Sequence, residues 1–129
     1  MAGQQIIGGP LVIGGRTLSL SRAIRAGDFV FLTGQIPFNA DGSVMTAGSV
    51  EDQTRAVLDA IRATLAEAGC ALADVVKAMV WLRDRADFPG FNAVYGEYFP
   101  ERPPTRSAVV SDLLVDVRVE VEVVAYRPL

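Results

Sequence analysis

The stretch Val115–Tyr126, VDVRVEVEVVAY, alternates almost without interruption. Val117, Val119, Val121 and Val123 recur at every second position, with Arg118, Glu120 and Glu122 between them. A period of two is the period of a β-strand, so one side of this strand is written for a core and the other for something polar. A strand needs partners, and the neighbouring sequence supplies them. DVVKAMVWL (Asp74–Leu82) reads as a second strand, with Val76, Ala78, Val80 and Leu82 on one face and Lys77, Met79 and Trp81 on the other. In RPPTRSAVV (Arg102–Val110), Pro103 and Pro104 stiffen an extended approach to Arg106, and Ser107–Val110 read as a buried strand. A hairpin is expected near the N-terminus, from about Ser19 to Arg25 and back from Phe29 to Thr33, turning at Gly27-Asp28.

Two helices complete the pattern. Ser49 is an N-cap, followed by Glu51 and Asp52 in the first turn. Val50, Thr54, Val57, Leu58, Ile61, Leu65 and Ala68 then form one stripe that stops at Gly69. A second helix starts near Asp87, tolerates Pro89 in its first turn, and carries the stripe Phe88, Phe91, Tyr95, Tyr98. Residues 1–15, with Gly3, Gly8, Gly9, Gly14 and Gly15, read as loose turns around short strands. The result is an α+β chain in which two helices cover one face of a mixed sheet. At 129 residues it is expected to be one domain, residues 1–129.

Composition narrows the chemistry. There is no histidine and only one cysteine, Cys70. That removes Ser-His-Asp and Cys-His catalysis, histidine zinc sites and internal disulfides. Twelve basic against fifteen acidic residues leave a net charge of −3, which argues against a nucleic-acid partner. No apolar run approaches the roughly 20 residues of a membrane span. The start, MAGQQIIGGPLVIGG, lacks a basic leader, and a lone thiol suits a reducing compartment, so a cytoplasmic location is expected.

What remains is Arg, Lys, carboxylates, hydroxyls and backbone groups. Glu120 is an ordinary wet-face charge if its side of the sheet meets water. If that side meets another subunit, partial burial raises its pKa and makes it an acid–base group. Arg106 is either a strand-edge cation or a fork for a carboxylate. On this reading the two lie on adjacent strands. Thr33 and Asn92 are hydroxyl and amide groups of ordinary kinds, and Trp81 and the aromatic stripe read as core.

Taken together, SRAIRAGDFVFLTGQIP, EDQTRAVLDAIRATLAEAGCALADVVKAMVWLRD, DFPGFNAVYGEYFPERPPTRSAVV and VEVEVVA resemble the RidA family of YjgF-type reactive intermediate deaminases, also described as endoribonuclease L-PSP. The resemblance runs from about Ser19 to Tyr126. It implies a chorismate-mutase-like α+β fold and a homotrimer whose sheets line a central barrel, with clefts between subunits. It also implies hydrolysis of 2-imino or enamino acids (2-iminobutanoate and 2-iminopropanoate in type) to 2-oxo acids and ammonia, without cofactor or metal. By the same resemblance Arg106 binds the substrate carboxylate and Glu120 positions and activates water. Thr33, Asn92 and the backbone around Gly34 and Ala108 line the cleft. The chain departs from the family pattern at Leu20, where a tyrosine is frequent, at Thr33, where a serine is common, and at Ala108, where a cysteine is common. A larger enamine acid, of aminoacrylate or aminomuconate type, and a non-catalytic trimer binding small carboxylates remain as alternatives. RNA cleavage fits poorly with an acidic chain that has no histidine.

Overall fold

The computed structural model describes residues 4–129, so Gly3 of the glycine-rich start lies outside the described residues. Among the described residues eight strands form, in chain order β1 (Gln4–Ile7), β2 (Val12–Ile13), β3 (Arg16–Thr17), β4 (Ala23–Ala26), β5 (Phe29–Leu32), β6 (Val75–Leu82), β7 (Thr105–Val110) and β8 (Val119–Tyr126). Two helices, α1 (Val50–Glu67) and α2 (Phe88–Tyr98), lie between β5 and β6 and between β6 and β7. Six strands make one sheet in the order β1-β4-β5-β8-β6-β7, and β2-β3 is a separate two-stranded ribbon. All neighbours in the large sheet are antiparallel except β6 and β7. That parallel pair needs a crossover, and α2 provides it.

The alternation of β8 does what its sequence requires. Val119, Val121, Val123 and Ala125 are buried against the helices, as are Ala78, Val80 and Leu82 of β6. Helix α1 contributes Val57, Leu58, Ile61 and Leu65, all fully buried, and α2 contributes Phe91 and Tyr95. Ser49 caps α1 by accepting from the Asp52 amide. Gly69 follows the helix with φ 75°, a left-handed conformation that favours glycine. Gln53, also fully buried, is part of the scaffold rather than a misplaced polar group. Its Nε2 donates to the Ala47 carbonyl and its Oε1 accepts from the Arg118 amide, tying two loops to α1.

Four expectations from sequence are corrected. Val76 is exposed and Val75 takes the buried position, because a bulge between Val75 and Lys77 inserts one residue against β8. The hairpin strand begins at Ala23, so residues 19–22 lie outside it. Arg118 does not share the open face with Glu120: it precedes β8, and its guanidinium pairs with Asp87 at 3.2 Å, just before α2. Finally, Ser107–Val110 are not buried. β7 is the edge of the sheet and only β6 pairs with it, which leaves Val109 and Val110 about half exposed.

The face away from the helices is unusually apolar for a surface. Ile6, Phe29, Phe31 and Tyr126 are all more than 40% exposed, and Phe29 packs on both Phe31 and Tyr126 with ring centroids 6.4 and 5.1 Å apart. Contiguous greasy surface of this kind marks a contact face.

Candidate functional site

Register decides which site residues can meet. Across β6, Arg106 pairs with Ala78, whereas Glu120 pairs with Trp81. The two residues are therefore not on adjacent strands, since β6 separates β7 from β8. They are also three residues out of step, and an odd offset puts them on opposite faces. Strand spacing and rise set their Cα atoms on the order of 14 Å apart. The expected single cluster is two half-sites.

The first half-site is built around Glu120. Between Phe31, paired with Val124, and Gln35, paired with Val121, the N-terminal strand has one residue more than β8. This bulge brings Gly34 against Glu120. A Cβ on Gly34 would overlap the Glu120 carboxylate, so the approach requires glycine at this position. Leu20, Thr33, Gly34 and Glu120 line one cleft of about 610 Å³. Glu120 is partly buried and makes no side-chain hydrogen bond or ion pair among the described residues. Burial, and secondarily the charge of Glu122, push its pKa above the usual 4.5. The carboxylate is thus set up to accept a proton closer to neutrality than an ordinary glutamate.

Arg106 organises the second half-site, on the helix side of the sheet edge. Its guanidinium lies 4.8 Å from the Tyr95 ring centroid, 5.4 Å from Phe88 and 5.8 Å from Phe91. Nη1 donates to Asn92 Oδ1 at 2.9 Å. Three rings and an amide thus hold the cation, and among the described residues no carboxylate pairs with it. Pro103 and Pro104 line the same depression as Asn92 and Arg106, and Ala108 lines the adjoining one with Phe88 and Arg106. Below the guanidinium, the buried Tyr95 hydroxyl has no hydrogen-bond partner among the described residues, and burial raises its pKa to about 12 despite the nearby arginine charge. Tyr95 therefore stays neutral and serves as an uncharged platform.

Sequence reading placed Phe88, Phe91 and Tyr95 in the core and missed their role as a stack for Arg106. A run of aromatics on a helix looks the same in either role. It also missed the walls of the Glu120 cleft, which come from the β2-β3 ribbon and the loop before β8. Only long-range contacts bring those segments together. Among the described residues no cluster of three His, Cys, Asp or Glu side chains is arranged to hold a metal, and no helix is long and apolar enough to cross a membrane.

Comparison with known proteins places this architecture. The family described as Endoribonuclease L-PSP matches residues 16–127. A RutC family protein of Pyrococcus horikoshii is 48% identical over 83% of this chain and 86% of its own length. The 3-aminoacrylate deaminase RutC of Acinetobacter baylyi is 39% identical over 81% of this chain and 83% of its own. A 2-iminobutanoate/2-iminopropanoate deaminase of Dermatophagoides farinae is 35% identical over 79% and 80%. The crystal structure of yeast Mmf1 superposes with a TM-score of 0.86 at 32% identity, covering 96% of this chain and 98% of that one. With its mixed sheet, two covering helices and near-complete match to these proteins, the chain belongs to the RidA family, the group described as endoribonuclease L-PSP.

Proposed function

We propose that this protein hydrolyses small 2-imino or enamino acids to 2-oxo acids and ammonia, in sites shared between copies of the chain in a homotrimer. The observation that carries this reading is the division of the site: a partly buried carboxylate on the open face and an arginine on the opposite face at the edge, neither in an ion pair among the described residues. Within one chain they cannot act on one small molecule. Between two copies they can, and the apolar open face and the bare valine edge of β7 are the surfaces such copies would cover. The names of the two deaminase relatives support the same reaction class.

The chemistry asked of the site is modest. Arg106 grips the substrate carboxylate with two parallel hydrogen bonds, while Asn92 fixes the fork. Glu120 takes a proton from water as the water oxygen bonds to C2, and the imine nitrogen receives that proton. In the resulting amino alcohol, Glu120 takes the hydroxyl proton and passes it to nitrogen. The C2–N bond then breaks, C2=O forms and ammonia leaves. Thr33 lines the same cleft as Glu120, and on this reading its hydroxyl hydrogen-bonds the oxygen on C2. Preorganisation of water, carboxylate and anion supplies the rate.

The test is to generate the imine in situ with a pyridoxal-phosphate dehydratase acting on threonine or serine, and follow 2-oxo acid release with and without the protein. Acceleration that Glu120→Gln abolishes is expected. No acceleration with either amino acid would overturn hydrolysis of these small imines and leave a larger enamine acid or a carboxylate-binding trimer.

A further inference from the structure

The Glu120 cleft is lined mostly by aliphatic side chains, and Glu120, Thr33 and Arg16 are the polar ones among its lining. Leu11 and Ile36, both buried, line it with the more exposed Ile13, Leu18 and Leu20. Leu114, which is fully exposed, lines it as well. At about 610 Å³ the cleft is within the usual range for small-molecule sites, and it is far larger than the head group of a three-carbon acid requires. The half-site that would close it brings more apolar surface, Ala108, Val109 and Val110 around Arg106. Two cations interrupt this apolar lining, Arg16 on β3 in the Glu120 cleft and Arg85 beside Arg106.

We infer that the site takes 2-imino acids with a branched or long aliphatic side chain in preference to the three-carbon substrate. The inference rests on the deaminase reading above and names its substrate class. With the carboxylate on Arg106 and C2 at Glu120, the side chain is directed along the leucine and isoleucine walls. A methyl group would leave them wet, whereas an isobutyl group would cover them. A hydrophobic pocket discriminates by about tenfold or more per buried methylene. The cleft is half open, so about tenfold in all is expected for the three extra carbons of an isobutyl group.

The test uses an L-amino acid oxidase, with catalase present, to make imines from leucine, alanine and glutamate. Semicarbazide competes for each imine, and the protein's ability to divert it to 2-oxo acid gives relative kcat/KM values. The leucine-derived imine is expected to lead the alanine-derived one by about tenfold. Leu20→Asn should shrink that ratio. Equal values, or a preference for alanine, would overturn the inference, and so would a preference for the glutamate-derived imine, which would assign the side-chain space to Arg16 or Arg85. If no imine is diverted, the deaminase reading fails, and binding still decides the inference. Calorimetry should then show 4-methyl-2-oxopentanoate binding about tenfold tighter than pyruvate, and equal affinities or no binding would overturn it.

Discussion

Gly34→Ala separates the function of the Glu120 carboxylate from the stability of the fold. Gly34 does not have a positive φ, so alanine causes no backbone strain. The added methyl would stand 3.5 Å from Glu120 Cγ, an ordinary contact, and 3.2 Å from Cδ, tight by a few tenths of an ångström, and it would overlap Oε2. That atom is the end of a flexible side chain, so the carboxylate swings away and the core does not move. The displacement needed is about 1 Å, and an error of that size in a catalytic group costs about 10²-fold in rate. This is about 2.7 kcal/mol of barrier. Thermal unfolding should shift by the equivalent of less than about 1 kcal/mol, as for a surface change without a cavity or a buried orphan. The assay is imine hydrolysis by the variant beside a melting curve on the same preparation. Full activity would show that the Glu120 position is not critical. A large loss of stability would show that Gly34 is structural and that the bulge has been misread.

Other outcomes follow from the same geometry. Glu120→Gln should lower kcat by about 10²–10⁴-fold, and wild-type activity should fall as acidification carries Glu120 through a pKa above 4.5. Stability should move the other way: a carboxyl whose pKa is raised by folding stabilises fully below its unfolded value and loses that contribution as pH rises through the folded one. Glu120→Gln should therefore melt above the wild type at neutral pH, with the gap closing at acid pH. Arg106→Lys should fold but lose most activity, since an ammonium cannot present a planar fork; retained activity would return Arg106 to a strand-edge cation. Phe88→Ala removes the most exposed ring of the stack and should raise KM more than it lowers kcat, because it loosens the anion grip and leaves Glu120 untouched. Gln53→Ala should cost about 1–3 kcal/mol in denaturant unfolding, because it leaves the Arg118 amide and Ala47 carbonyl without their partner.

The strands and helices were legible because their periods are local. The valines of β8 and the Val57–Leu65 stripe of α1 each declare one buried face, and Ser49 and Gly69 mark the ends of the helix. The bulges at Val75–Lys77 and at Phe31–Gln35 were not legible, since an inserted residue is defined only against the partner strand. Edge position was equally hidden: RSAVV has the composition of a central strand, and only the pairing order exposes it. Arg106 and Glu120 stood out as candidates by residue type and strand position, whereas the cleft roles of Thr33, Asn92, Gly34, Ala108 and Leu20 came from resemblance. Their division into two half-sites came from register, which neighbouring residues do not encode.

The division is tested most directly by mixing two dead proteins. Arg106→Ala chains retain Glu120, and Glu120→Gln chains retain Arg106. Each alone should be inactive. Denatured together in equal amounts and refolded, they should form hybrid trimers in which about one quarter of the shared sites receive both native residues from different copies. Recovery of about a quarter of wild-type activity is the predicted result. A mixture no more active than its components would contradict the shared site, and with it the account of how this sheet performs its chemistry.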